Sequence, residues 1–359
     1  MNDNYFIGSI IPDSLFQSVE KISFASINYQ KKVIKTFRFD EVLCLLPLNV
    51  PNQKKKFFVE EGVGYIHYKF FGSRIFKLVF DQIAAYSRIR KASTVVFYNI
   101  TIQNFILIYL LSRFKKCYCF SIVADYEDYK NYTGIKRFVQ KIINSSFNLL
   151  KGAIVLNPNI KIPTKSVVLE GIIDPQDLKP FTKEIIKNRI LFSGSVGYTT
   201  GVHVAIQAMD YLPDYELIIT GPPFDLEKKD IDDLILKGTN NNVTYLGSLN
   251  KEKYQDLLCT CNIALSLRDI SKPEHKHNFP SKILEYLSYN KKVISTINYE
   301  CVSDYLTVCE FDPVSIASAI QNISSTDSFN SRDFVVSKFG LVKFSEALEQ
   351  LVKDTRHDV

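Results

Sequence analysis

Hydrophobic positions along the chain fall into two alternating series. In the first half, YFIGSII (5–11), EVLCLLP (41–47), VGYIHYKF (63–70), TVVFYN (94–99), KCYCFSIVA (116–124) and GAIVLN (152–157) are short apolar-rich runs of strand length. Segments between them, such as LFQSVEKISFASINYQKKVIKTF and GIKRFVQKIINSSFNLL, repeat apolar residues every three or four positions, the period of a helix with one packed face. Strands alternating with helices predict a parallel sheet covered on both sides.

After KSVVLEGIIDPQDLKPF the alternation restarts. RILFSGS (189–195), YELIITG (215–221), VTYLGSL (243–249), NIALSLR (262–268), KVIST (292–296) and VCEFD (308–312) read as strands, with helical patterns at 200–211, 251–260, 281–289 and 313–322. Two doubly wound α/β domains in tandem follow, with Gly171 to Pro180 as linker and expected bounds of 1–172 and 173–340. The closing run GLVKFSEALEQLVKD is an amphipathic helix that could pack on either domain, so 341–359 is set apart as a C-terminal helix with a return to the first domain as one option.

Composition agrees with two cores: 359 residues, 46% hydrophobic, suffice for two domains of ordinary size. The longest apolar run, ITIQNFILIYLL at 100–111, carries Gln103 and Asn104 and is too short to span a bilayer. No basic leader follows Met1, so a cytoplasmic protein is expected. The seven cysteines form no C-x-x-C pair, which predicts a reducing compartment with neither disulfides nor structural zinc. His67, His203, His275 and His357 are scattered and read as structural or solvated.

Charge alters the picture more. The net +6 hides 24 Lys and Arg against 12 Asp and Glu in residues 1–170, and 20 against 26 thereafter. A basic half joined to an acidic one predicts an anionic partner for the first half: a membrane surface, a phosphorylated acceptor or nucleic acid. Nucleic acid is set aside for want of a zinc finger or RNA-recognition signature. In 69–93, Phe and Ile interleave with Lys and Arg, which reads either as an interfacial helix on anionic lipid or as a core-packed helix with a solvated basic face. Lys54-Lys55-Lys56 reads as a solvated loop.

Ligands of open α/β sheets bind beyond the carboxyl ends of the strands. In the second half those positions hold Gly194-Ser195, Gly221, Gly247, Arg268 and the stretch HKHNFPSKILEYLSYNKKVIST. Phe279-Pro280-Ser281 should open a helix whose N-terminus, with Lys282 and Arg268, makes a donor-rich corner able to hold a diphosphate. Lys282 reads equally as a solvated first-turn residue. Glu285 is either a surface partner of Lys282 at i−3 or an acceptor for the diol of a ribose. In the first half, strand 116–124 ends in Asp125-Tyr126-Glu127-Asp128. Glu127 and Asp128 also suit an acidic helix N-terminus, and nothing is spaced to complete a metal site.

GSVGYTTGVHVAIQAM, YELIITG, VTYLGSLNKEKYQDLLCTCNIALSL, HNFPSKILEYLSYNKKVIST and DPVSIASAI resemble, in order and spacing, the C-terminal donor domain of family 4 (group 1) retaining glycosyltransferases of the GT-B fold. The resemblance covers roughly 188–322. It implies two Rossmann-like domains facing each other across a cleft, the first binding acceptor and the second a nucleotide sugar. It implies that Glu285 takes the ribose hydroxyls, with Gly194, Ser195, Arg268, Phe279, Ser281 and Lys282 around the donor. His277 stands where the family has an acidic residue contacting the transferred sugar, and Thr200-Gly201 where it has a phosphate-binding Lys before Gly. On the acceptor side Asp125 is the candidate polar contact to the reacting groups, with Gly8, Ser9, Asn99 and Glu127 nearby.

The resemblance thus implies sugar transfer with retention from a UDP- or GDP-type sugar to a glycan or lipid-linked acceptor, in bacterial surface polysaccharide synthesis. No metal or other cofactor is expected. The expected location is cytoplasmic, either free or peripheral on the inner face of the plasma membrane through the basic half. Two alternatives stay open: a non-catalytic GT-B-like subunit that binds glycan or a partner, and a sugar-nucleotide epimerase of the same fold.

Overall fold

The computed structural model describes residues 3–18, 24–46, 50, 57–67, 74–180, 183–239, 241–272, 275, 279–324 and 330–357. Lys54 to Lys56 and His277 lie outside the described residues. The chain divides into two compact units, Met1–Ile172 with Leu341–Val359, and Ile173–Gly340.

The first unit is built on strands β1 (Asn4–Gly8), β2 (Glu41–Leu45), β3 (Phe57–Glu60), β4 (Val63–Ile66), β5 (Thr94–Tyr98), β6 (Tyr118–Val123), β7 (Gly152–Val155) and β8 (Ser166–Val168). Their order is β3-β4-β2-β1-β5-β6-β7-β8, parallel except for the β3–β4 hairpin. That hairpin turns through Glu61 and Gly62, both at positive φ, the backbone that matches strand twist in a two-residue turn. Consecutive residues face opposite layers. Ile7, Val95 and Phe97 pack with Leu107 and Leu111, whereas Phe6 and Val96 pack with Val33, Phe344 and Leu348.

Helices α1 (Phe24–Thr36), α2 (Arg74–Arg88), α3 (Phe105–Phe114) and α4 (Gly134–Ser145) belong to this unit. Within 69–93, Lys77 is a buried residue: its Nζ donates to Asp81 Oδ2 and to the Leu46 carbonyl, each at 2.9 Å. Asp81, Gln82 and Ala85 of the same helix are buried as well, so one side of α2 faces the core. His67 is also buried, and burial together with the Lys77 charge pushes it down to about 4, keeping it neutral.

The second unit has β9 (Ile186–Ser193), β10 (Glu216–Thr220), β11 (Val243–Tyr245), β12 (Cys261–Ser266), β13 (Lys292–Ser295) and β14 (Leu306–Val308), all parallel in the order β11-β10-β9-β12-β13-β14. Its helices are α5 (Val202–Ala208), α6 (Lys228–Lys237), α7 (Lys251–Thr260), α8 (Ser281–Ser288), α9 (Pro313–Ser324) and α10 (Ser331–Phe339). Ile190, Phe192 and Ile263 face α5 and α9, while Leu191, Ala264 and Val293 face α7, α8 and α10. The strand expected at 308–312 lies instead at Leu306–Val308, because Asp312 accepts the N–H groups of Val314 and Ser315 and begins α9. Helix α6 was not apparent in the sequence pattern.

Helix α11 (Leu341–His357) returns to the first unit, where Ser345 Oγ donates to the Thr36 carbonyl at 2.8 Å and Leu351 covers Gly152. No helix among the described residues is long and apolar enough to cross a membrane. All seven cysteines are free thiols and five are buried.

Candidate functional site

In both sheets the chain order reverses beside a central strand, between β1 and β5 in the first and between β9 and β12 in the second. Helices diverge there and leave a crevice at the strands' carboxyl ends. Each unit places polar side chains at that point.

In the first unit a cavity of about 210 Å³ is lined by Gly8, Ser9, Ser26, Leu45, Tyr98, Asn99, Thr101, Gln103, Asn104 and Asp125. The fully buried Gln30 accepts the Ser9 N–H at 2.8 Å and lies 3.2 Å from the hydroxyls of both Ser9 and Ser26. Gly8 is required here, since a Cβ would come within 2.7 Å of Gln30 Oε1 and 2.8 Å of the Phe6 ring.

Asn99 leaves β5 at φ +54 and accepts the N–H groups of Ala124 (2.7 Å) and Asp125 (3.1 Å). Its Nδ2 donates to Asp125 Oδ2 at 3.2 Å. Solvent reaches Asp125 through the cavity mouth, but crowding by the walls removes hydration and raises its carboxyl above the usual range. The Asn99 hydrogen bond opposes this rise, and the Glu127 charge adds to it. Gly8, Ser9, Asn99 and Asp125 are thus gathered in one cavity. Glu127 does not line it: its carbonyl accepts from Gln140 and Asn144 of α4, each at 3.1 Å. Asp128 caps the short 3-10 turn Tyr129–Asn131.

In the second unit Lys282 Nζ lies 2.6 Å from Glu285 Oε2 and 4.1 Å from the centre of the Tyr254 ring. Tyr254 also donates to Glu285 Oε2 at 3.2 Å. Beneath them Ser193 Oγ lies 3.1 Å from the Tyr254 hydroxyl and 2.8 Å from that of Tyr286. Burial raises both phenols well above their ordinary value, so they are neutral donors. Glu285 is therefore a half-exposed carboxylate held by one cation and one phenol, at the end of the central strand. Helix α8 begins after Pro280, with Ser281 exposed, and Phe279 meets Tyr299 edge-on at 5.1 Å. Burial depresses even the Arg268 guanidinium, with only the nearby Tyr299 phenol acting against it.

The glycine turns at the ends of β9, β10 and β11 are bonded to one another. Gly194 N–H donates to the Thr220 carbonyl (3.1 Å) and Gly221 N–H to the Gly247 carbonyl (2.9 Å). The Thr200 hydroxyl lies 2.7 Å from the Ser195 carbonyl and 3.1 Å from Gly197 N. Asp225 accepts the Tyr198 (2.6 Å) and Thr199 (2.8 Å) N–H groups. Several donors of the loop following Gly194 are thereby spent within the protein. Burial works to raise the Asp225 carboxyl, but these hydrogen bonds outweigh it and hold it below the usual range.

Sequence reasoning missed Ser193, Tyr254, Tyr286, Gln30 and Asp225. Ser193 and Tyr286 adjoin named candidates, Gly194 and Glu285, and that adjacency was the available signal. Tyr254, Gln30 and Asp225 arrive from other elements and left none.

This architecture, two Rossmann-like units each with a polar site at its switch point, is that of the GT-B glycosyltransferases. Residues 176–313 match the family described as Glycosyl transferases group 1. Solved structures with the same fold include a sucrose-phosphate synthase from Thermosynechococcus elongatus, 13% identical over all of both chains with a TM-score of 0.71. An Escherichia coli trehalose-6-phosphate protein bound with UDP-2-fluoro glucose is 9% identical over 98% of this chain and 99% of its own, at TM-score 0.68. Anabaena HepE in complex with UDP-glucose is 14% identical over 98% and 99%, at 0.64. No curated protein matches the sequence.

Proposed function

We propose that the protein moves a sugar from a nucleoside diphosphate sugar to a hydroxyl of a glycan or lipid-linked acceptor, with retention of configuration. The second unit binds donor and the first binds acceptor. The observation that carries this reading is the Glu285 carboxylate, supported by Tyr254 and Lys282 at the switch point of the unit that matches the family.

On this reading the ribose hydroxyls donate to Glu285 and release Lys282 toward the diphosphate. Negative charge grows on that leaving group in the transition state, and Lys282, Arg268 and the start of α8 stabilise it without a metal. Asp125 polarises or positions the reacting hydroxyl, and His277 takes the sequence position of the residue that meets the transferred sugar in the family. Two of the similar structures are complexes with UDP-glucose and UDP-2-fluoro glucose, which makes UDP-glucose the first donor to try. The expected setting is polysaccharide synthesis on the cytoplasmic face of a membrane.

Calorimetry with UDP and GDP, followed by transfer assays on Asp125→Asn and Glu285→Ala, tests the assignment. Millimolar binding to neither nucleotide, or wild-type rates in both variants, overturns it.

A further inference from the structure

Helix α4 is amphipathic in the wrong sense for a helix that packs on a core. Gln140 and Asn144 lie on its packed side, joined by a 2.9 Å hydrogen bond and both donating to the Glu127 carbonyl. Only Ile143 is buried along its length. On the opposite face Ile135, Phe138 and Ile142 are 84%, 66% and 37% exposed. They sit at i, i+3 and i+7, so they form one stripe about two turns long. Water is a poor solvent for such a stripe, and nothing among the described residues covers it.

Its surroundings state what would. Lys136, Arg137 and Lys141 are all exposed on the same two turns, and α4 holds no acidic residue. Apolar side chains ringed by cations suit the boundary between headgroups and acyl chains of an anionic bilayer, where the stripe enters the apolar layer and the cations meet lipid phosphates. The unit bearing α4 has the chain's excess of positive charge, which favours the same surface.

We propose that α4 is the element by which this protein docks on anionic membrane. Docking would hold the first unit, which carries the Asp125 cavity, at the membrane. Reading that cavity as the acceptor site rests on the proposed function above, whereas the docking itself does not.

Vesicle flotation tests it, using phosphatidylcholine alone and phosphatidylcholine mixed with phosphatidylglycerol. The full chain is expected to float with the mixed vesicles, less with the neutral ones, and to be released by added salt. Ile135→Glu with Phe138→Glu should weaken flotation by about tenfold or more, and Lys136→Glu with Lys141→Glu should abolish the preference for anionic lipid. Melting temperature and UDP affinity should stay at wild-type values. Absence of flotation, or flotation untouched by either double variant, overturns the proposal. So does a dimer in sedimentation that Phe138→Glu dissociates, since a second copy would then cover the stripe. A chain that floats but binds no nucleotide would instead count against the transferase reading.

Discussion

Asn99 holds Asp125 from three directions, accepting the Ala124 and Asp125 N–H groups and donating to the Asp125 carboxylate. One side chain at positive φ just past β5 therefore sets the chain beyond β6 and holds the Asp125 carboxylate at the cavity. Asn is among the few residues besides Gly that adopt this backbone readily while offering both an acceptor and a donor.

Asp125 should set a conflict between stability and activity. Its carboxyl is raised in the folded protein, so its contribution to stability is fully present below the ordinary carboxylate value and is lost as pH rises through the raised value. Asp125→Asn should accordingly melt higher than wild type at neutral pH, with the difference vanishing in acid. Its transfer rate should fall by about tenfold to a hundredfold, the lower range for a positioned polar group. Thermal melts across pH, paired with rate measurements, check both halves.

Tyr254→Phe removes only the hydroxyl shared between Ser193 and Glu285. The loss in stability should be about 1 kcal/mol, that of one hydrogen bond. Donor KM should rise several-fold with little change in kcat, because Glu285 loses its support and no reacting atom is touched. Steady-state kinetics against donor concentration separates this from a purely structural effect, which would leave KM alone.

Gly221 sits at φ +134, and a Cβ there would lie 1.7 Å from the Gly194 carbonyl oxygen. Gly221→Ala should destabilise by on the order of 3 kcal/mol or more, since backbone strain and overpacking combine. Gly247→Ala is a useful contrast: its φ is +66 and its Cβ would meet nothing within 4 Å. Denaturant unfolding of the two variants should rank Gly221→Ala well below Gly247→Ala.

The Lys77–Asp81 pair is buried, with side chains 10% and 5% exposed. Asp81→Leu should cost about 3–5 kcal/mol by leaving an ammonium unpaired in the core. Adding Lys77→Met should recover most of that loss, because the desolvation penalty goes with the charge. Urea midpoints of the two single variants and the double variant form the cycle that checks it.

Strand positions were legible wherever a run of β-branched or aromatic residues filled both faces of a strand, as in 94–99 and 262–268. Boundaries were less so. The run 5–11 ends as a strand at Gly8 although Ile10 and Ile11 beyond it are buried, and 243–249 ends at Tyr245, two residues before the left-handed Gly247. The hairpin strand β3 and helix α6 escaped notice; an antiparallel edge strand and a charged surface helix carry weak periodicity.

Site residues divided along the same line. Asp125, Glu285 and Lys282 were visible as charges at strand ends or in a first helical turn. Their partners were not, since Tyr254 lies 31 residues from Glu285 and Asn99 lies 26 from Asp125. The pairing of Lys282 with Glu285 could be anticipated from i,i+3 spacing alone, yet the phenol beneath them could not.

By itself the sequence determined the α/β class, the restart of the pattern that makes two units, the charge asymmetry and the candidates at strand ends. All of these depend on local period or on composition, which short windows carry. Tertiary structure alone decided where the chain order reverses, which strand ends therefore meet, and that α4 turns its apolar side outward. These depend on which elements become neighbours, and neighbours in space are set by the burial of whole faces, which no window of sequence contains.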